Sequence, residues 1–459
     1  MKLPEEKIKK ILIVRPDAIG DIVLITPAIH ALKEHFPKAK ISILVQEYTA
    51  PVARAIPDID EVLIDDIKAG RAGSLRDFLA YVKRIRAMKF DLSVDFYSFN
   101  LKHTLLQFLA GIPYRVGDKS RFFLGFFYNC GKVLRYKDYS KHIVDLHLDL
   151  IKTIGVEAKA PRLKINVPEM KFAGIDDHDF VIGIHPGCTS SRLWEEEKYA
   201  RTIDALQEKF QAKVVLTGGP KERALGDRII AACRHKPLDL IAKTTLPELM
   251  ALIKRFNIYI GADTGPTHLA SAIGTPVVLL ILAKNVKPVR WGSYGSRHII
   301  LYAHPQAQCP IFCAAGRCRE DYCSRVITPE MIVAAVQQLR EGKTFTREDW
   351  QRLSCNVLLI YDKNNRPKAE QVAGILKQQG YHYVLKPAEE LKGIKGILQT
   401  IETDNILVIH HFGKKGLLTA WLANLLSGIY TTNATVLVRG FNNEDLFAKY
   451  NKAFETSLI

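Results

Sequence analysis

Short apolar runs alternating with helical stretches constrain this chain more than any other feature. KKILIV near the N-terminus is followed by ISILVQ (41–46), EVLIDD (61–66) and FDLSVDF (90–96), with amphipathic or turn-containing segments between them. Strands alternating with helices in this way build a parallel sheet covered on both faces. The first unit runs to about residue 172, closing with the helical HIVDLHLDLIKTIG and the turn-rich VEAKAPRLKINVPEM. The pattern then restarts with FVIGIHPG (180–187), AKVVLTGG (212–219), LDLIA (238–242), NIYIGAD (257–263) and TPVVLLIL (275–282), and TPEMIVAAVQQLREG (328–342) forms a closing helix. A third set, NVLLIYD, YHYVLKP, NILVIHH and ATVLVRG, occupies the last hundred residues. A chain of 459 residues is too long for one ordinary core. The expected organisation is therefore α/β, with doubly wound units over 1–172 and 173–345 and a small additional α/β domain over 346–459.

Charge narrows the partners. The formal net charge is +17, and from Arg71 to Lys141 there are 14 Lys/Arg against 5 Asp/Glu. Such an excess points to nucleic acid, an anionic membrane surface or a phosphorylated substrate, or else to a solubilising surface. No recognised nucleic-acid-binding motif accompanies it. The opening MKLPEEKIKKILIV lacks a long apolar core and a small-residue cleavage site, so it does not read as a signal peptide. No run approaches the roughly 20 apolar residues of a spanning helix. The expectation is a cytoplasmic protein, with its eight cysteines mostly reduced.

Open parallel sheets bind ligands beyond the carboxyl ends of their strands, so the loops there are where chemistry is sought. Four stand out. In RPDAIGDIVLITPAIHAL (15–32), Gly20 permits a tight turn or a close backbone approach, and Asp21 stands at or near a helix start. Asp21 reads either as a helix cap or as a general base, with Asp17 as the local rival. In GIHPGCTSSRLWEEE, the residues Thr189, Ser190, Ser191 and Arg192 offer hydroxyls, amides and a cation for a phosphate, or simply cap the next helix. In VVLTGGPKERAL, Glu222 is either a ribose-hydroxyl acceptor or an ordinary first-turn acid. In IGADTGPTHLASAIGTP (260–276), Asp263, Thr264, Gly265, Pro266, Thr267 and His268 surround the start of a helix rich in small residues. Its exposed amides and dipole favour an anion.

Taken in order and at this spacing, RPDAIGDIVLITPAIHAL, IHPGCTSSRLW, LTGGP and GADTGPTHLASAIGTPVV resemble the family 9 glycosyltransferases, the lipopolysaccharide heptosyltransferases that use ADP-heptose. The segments FDLSVDF, LLQFLAGIPYRVG and KHIVDLHLDLIKTIG are similar to that family's N-terminal domain, and the likeness covers roughly residues 9 to 340. The resemblance implies a GT-B fold, with two Rossmann-like domains, an acceptor site in the first, a nucleotide site in the second, and inverting transfer from a nucleotide diphosphate sugar. It makes Asp21 the catalytic base and places Asp263, Thr264, Gly265, Pro266, Thr267 and His268 on the diphosphate. It puts Arg192, two before Trp194, on phosphate, although the family usually shows lysine there and often a proline after the tryptophan, where this chain has Glu195. Arginine keeps the charge and adds a bidentate grip.

The same resemblance implies a phosphorylated glycolipid acceptor at the inner face of the cytoplasmic membrane, with peripheral association and no nucleic acid partner. The amphipathic RDFLAYVKRIRAMKF and the aromatic RFFLGFFYN (121–129) fit an anionic membrane surface, while the latter also reads as a loop packed on the core. No cofactor is required, and Asp263 is where magnesium would be recruited. Cys309, Cys313, Cys318 and Cys323 fall within 15 positions but lack the paired C-x-x-C of common zinc ribbons. They read as reduced thiols, disulfides, or a zinc or iron–sulfur site. In the last hundred residues His410, His411, Lys414 and Lys415 form a strand-end group without a motif, read as anion-binding or as a solvated loop. Two other classes remain in view. A dinucleotide-dependent oxidoreductase needs a G-x-G-x-x-G that PDAIGD does not supply. A non-catalytic nucleotide-sugar-binding or assembly protein needs the 263–268 grip but not Asp21.

Overall fold

The computed structural model describes residues 3–345, apart from 68–69, 98–99, 121, 135–140, 188–193, 283–285, 287 and 303–326. Beyond 345 it describes three strands and a few residues beside them. The first sheet comprises β1 (Lys10–Val14), β2 (Lys40–Val45), β3 (Glu61–Ile64), β4 (Leu92–Asp95) and β5 (Tyr114–Val116), in the order β3-β2-β1-β4-β5 and parallel throughout. The second comprises β6 (Val181–His185), β7 (Lys213–Leu216), β8 (Leu238–Asp239), β9 (Ile258–Ala262), β10 (Val277–Ile281) and β11 (His298–Tyr302), in the order β11-β10-β9-β6-β7-β8, again parallel. Counted within each unit, the first sheet follows the order 3-2-1-4-5 and the second the order 3-2-1-4-5-6 of the doubly wound fold. A third parallel sheet joins β12 (Asn356–Tyr361), β13 (His382–Pro387) and β14 (Ile406–Phe412) in the order β13-β12-β14. The expected run ATVLVRG lies outside the described residues.

The central strands are buried along nearly their whole length, as a sheet covered on both faces requires. Two edge strands, β5 and β11, join those expected from the alternation of apolar runs. The helical pattern after β1 is broken in two, Ile19–Val23 and Thr26–His35. Pro27 in the first turn of the second helix has no amide to continue the first, so the chain restarts there. The largest apolar cluster runs through both units, from Ile11 and Ile13 of β1 to Tyr259 and Val277 of the second sheet and Leu269 of the Gly265–Ile273 helix. The site is therefore positioned by one continuous core.

Two doubly wound sheets each have one place where the strand order reverses: between β1 and β4 in the first, and between β6 and β9 in the second. Connections leave such a point in opposite directions and open a crevice at the carboxyl edge. The segments after β1 and after β9 carry Asp21 and residues 263–268, so both stretches singled out in the sequence stand at switch points.

Candidate active site

The Ile19–Val23 helix and the Gly265–Ile273 helix, one from each unit, meet at their N-terminal turns. Glycine makes the approach physically available. A Cβ on Gly20 would lie 2.8 Å from Cδ2 of His268, and one on Gly265 would lie 2.8 Å from Cβ of Ile19 and 3.2 Å from the Gly20 nitrogen. Any side chain at either position would force the helices apart. Through this contact the chain brings Asp21 beside the 263–268 segment, some 240 residues away in sequence.

On the first unit's side, the carboxylate of Asp21 is partly exposed, and Arg15 holds it by a 2.5 Å bond from Nη2 to Oδ1. Asp21 therefore answers to Arg15 and is not spent as a helix cap. The Arg15 guanidinium also donates from Nη1 to the carbonyl of Phe96, just beyond β4, and stands 3.7 Å from Asp17 Oδ2. Beneath it His147 is completely buried. Desolvation first, and then the charges of Arg15, His142 and Arg290, hold its pKa well below the ordinary histidine value. The imidazole is thus neutral, and Arg15 is the cation next to Asp21.

On the second unit's side, His268 is buried and its Nε2 lies 3.1 Å from Asp263 Oδ1, while its Nδ1 has no partner among the described residues. Thr264 is the N-cap residue of the Gly265–Ile273 helix, yet its side chain caps no amide. The hydroxyl of Thr267 donates to the carbonyl of Ala262 at 2.5 Å and fixes the helix start to the end of β9. Pro266 occupies the first turn, where a missing amide costs nothing. Pro266 carries no amide, and the Thr267 and His268 amides already donate to the Thr264 carbonyl at 3.1 and 3.3 Å, so what the helix start turns toward the Asp21 helix is the Gly265 end and the partial positive charge of the dipole.

Glu222 is engaged locally: its Oε2 accepts from the Gly219 amide at 2.7 Å, closing a capping turn after β7. That is the first-turn role weighed for it in the sequence, and it leaves the ribose role to be tested. At the end of β6, His185 is paired with Thr217 at 3.2 Å, and burial lowers its pKa to about 4, so it is neutral. Thr189, Ser190, Ser191 and Arg192 lie outside the described residues, as do Cys309, Cys313, Cys318, Cys323, Lys414 and Lys415. Cys130 and Cys233 are buried free thiols.

At the ends of β3 and β4 the buried acids serve the fold. Asp95 accepts from Gln107 at 2.6 Å and Tyr128 at 2.7 Å, and Asp65 is bonded to His103 at 2.7 Å, all deeply buried. These pairs pin the Leu101–Leu109 helix and the segment around Tyr128 over the carboxyl edge of the first sheet. A surface cavity of about 520 Å³ between Pro51, Arg54, Asn166, Pro247 and Met250 contains none of the candidate site residues. The only sequence signal for Arg15 is its place as the first residue after β1.

The pattern of glycosyltransferase family 9 (heptosyltransferase) matches residues 78–313, just over half of the chain. The chain belongs to glycosyltransferase family 9. This glycosyltransferase is 29% identical over 338 residues to lipopolysaccharide heptosyltransferase 3 of Escherichia coli K12, covering 70% of this chain and 95% of that one. Its fold is similar to a family 9 glycosyltransferase of Veillonella parvula, with a TM-score of 0.64 and 24% identity, covering 75% of this chain and 99% of the other. It is also similar to Escherichia coli heptosyltransferase WaaC with ADP, with a TM-score of 0.57 and 18% identity, covering 73% of this chain and all of that one. The two parallel sheets of the enzyme are those of the GT-B fold.

Proposed function

We propose that this enzyme transfers heptose from ADP-heptose to a lipopolysaccharide core acceptor, with inversion, using Asp21 as general base. The carrying observation is the meeting of Asp21's helix with the 263–268 helix start across the two switch points. One side offers a carboxylate to take a proton; the other offers the positive end of a helix to an anion. The names of the curated relatives supply the donor sugar and the acceptor class. The division into an acceptor domain (1–172), a nucleotide domain (173–345) and a further small domain (346–459) belongs to the same reading.

In this mechanism the acceptor hydroxyl loses its proton to Asp21 as its oxygen attacks the anomeric carbon in line. The bond from that carbon to the diphosphate breaks, and ADP departs with the electron pair. Charge growing on the β-phosphate is met by the positive end of the Gly265–Ile273 helix, with Thr264, Thr267 and His268 around it and Arg192, Thr189 and Ser190 from the sequence after β6. Glu222 takes the ribose by exchanging its bond to Gly219. Fixed dipoles and one cation do the electrostatic work, so the reaction needs no cofactor.

The acceptor's lipid places the enzyme at an anionic membrane surface. Leu75, Leu79, Leu101, Phe108 and Phe126 are all exposed, within the same stretch that carries the basic excess. Among the described residues no helix is long and apolar enough to cross a membrane.

The test pairs binding with turnover. ADP-heptose should raise the melting temperature of both the parent enzyme and Asp21→Asn, whereas Asp21→Asn should lose about 10²–10⁴-fold in turnover. Parent-like turnover by Asp21→Asn removes Asp21 from the mechanism. Stabilisation by other nucleotide sugars but not by ADP-heptose removes heptose.

A further inference from the structure

We propose that Arg15 is the positioning residue of the transfer reaction: it occupies Oδ1 of Asp21 and so leaves Oδ2 as the oxygen that receives the acceptor's proton. This rests on the assignment of Asp21 as base. Asp21 sits in a helix of only five residues, Ile19–Val23, whose N-cap residue Ala18 makes no side-chain bond. So short a helix does little to select among the staggered rotamers of a partly exposed first-turn aspartate. Arg15 supplies that selection from outside the helix. Its backbone nitrogen is bonded to Leu44 of β2, its Nη1 to the carbonyl of Phe96 after β4, and its Nη2 to Asp21 Oδ1. The guanidinium therefore spans the β1–β4 switch point and ties the base to both sides of it.

The planar fork matters as much as the charge, because Nη1 and Nη2 must reach two acceptors in fixed directions at once. Asp17 Oδ2 also stands 3.7 Å from Nη1, so Arg15 is paired with both acids of the segment after β1. Around it, His147 is neutral by burial and supplies no competing cation, and across the Gly20 contact the facing groups are His268 and Asp263. With Oδ1 committed, the acceptor oxygen forms its bond to the anomeric carbon while its proton passes to Oδ2, and the carbon–oxygen bond to the diphosphate breaks with its electron pair leaving on ADP.

The experiment uses the full chain with ADP-heptose and lipopolysaccharide core acceptor, and separates kcat from KM for parent, Arg15→Ala, Arg15→Lys and Asp21→Asn. Arg15→Ala should lose about 10²-fold in kcat, as a small misplacement of a catalytic group does, with KM for the donor within a few-fold of parent. Millimolar guanidinium chloride should restore at least about tenfold of that loss in Arg15→Ala and none in Asp21→Asn. If Arg15→Ala does not fold, Arg15→Lys carries the test: it keeps the charge, loses the fork, and should fall about tenfold in kcat at unchanged donor KM. Parent-like kcat in folded Arg15→Ala or Arg15→Lys, or a loss in Arg15→Ala that guanidinium does not repair, overturns the proposal. The two readings fail separately. An active Asp21→Asn sinks the base itself, whereas an inactive Asp21→Asn beside a parent-like Arg15 variant sinks only the role of Arg15.

Discussion

Gly20 has no room for a methyl group. A Cβ there would stand 2.8 Å from the ring of His268, which is buried and bonded to Asp263 and so has little freedom to turn aside. Gly20→Ala should therefore cost about 1–3 kcal/mol, as overpacking does, and separate Asp21 from the Gly265–Ile273 helix. A lowered melting temperature with at least about a tenfold fall in kcat is the expected result; parent values for both would show that the contact is dispensable. The need for glycine at this position was legible in sequence as a tight turn or a close approach. Which atoms it approaches was not, because His268 lies some 240 residues away. The acids show the same limit: Asp21, Asp95 and Asp65 all follow or end apolar runs, yet only Asp21 is partly exposed, the other two being buried against Tyr128, Gln107 and His103.

Among the elements, the Leu246–Arg255 helix shows how local signals position the site. Thr245 Oγ1 accepts from the Glu248 amide, and Glu248 Oε2 accepts from the Thr245 amide at 2.7 Å, a complete capping box with Pro247 in the first turn. This helix packs against both the Gly265–Ile273 helix and the Ala50–Arg54 helix of the other unit, so its start is a structural support for the 263–268 segment. Thr245→Ala should destabilise the enzyme by about 1 kcal/mol, seen as a drop of a few degrees in thermal melting. An unchanged melting temperature would mean the cap is redundant. Strand positions are legible in the sequence because buried parallel strands are written as continuous apolar runs. The edge strands β5 and β11 escaped, and the helix after β1 proved to be two.

The whole molecule sets the distribution of charge. Of the five acids between Arg71 and Lys141, Asp95 and Asp118 are buried in hydrogen bonds, and of the cations Lys141 is buried against Asp149 while Arg71 and Arg84 pair with Asp66, so the stretch keeps its basic excess at the surface. The Leu75–Ala87 helix turns Phe78, Tyr81, Val82 and Ile85 inward at helical spacing and leaves Leu75 and Leu79 exposed among its Arg and Lys residues. It lies beside the Leu101–Leu109 helix, which starts at the same carboxyl edge and exposes Leu101 and Phe108. The enzyme should co-sediment with vesicles containing anionic lipid, more weakly at high salt, and hardly with neutral ones. Leu79→Glu with Phe126→Glu should reduce that binding several-fold without altering turnover on a soluble acceptor. Equal binding to neutral and anionic vesicles, or none to either, would overturn the membrane reading.

By itself the sequence determined the two doubly wound units, the motifs at the ends of β1 and β9 and the family they resemble. These depend on periodicity and residue type within a few positions of one another. Only the tertiary structure decided that Gly20 seats His268, that Arg15 holds Asp21, and that Glu222 and Asp95 are bound within the fold. Such pairings depend on which surfaces the packed core brings together, and burial sets the strength of each. Gly20 and His268 are far apart along the chain, beyond the reach of local propensity, while Arg15 with Asp21 and Gly219 with Glu222 are near neighbours whose pairing depends on how the packed loops aim their side chains.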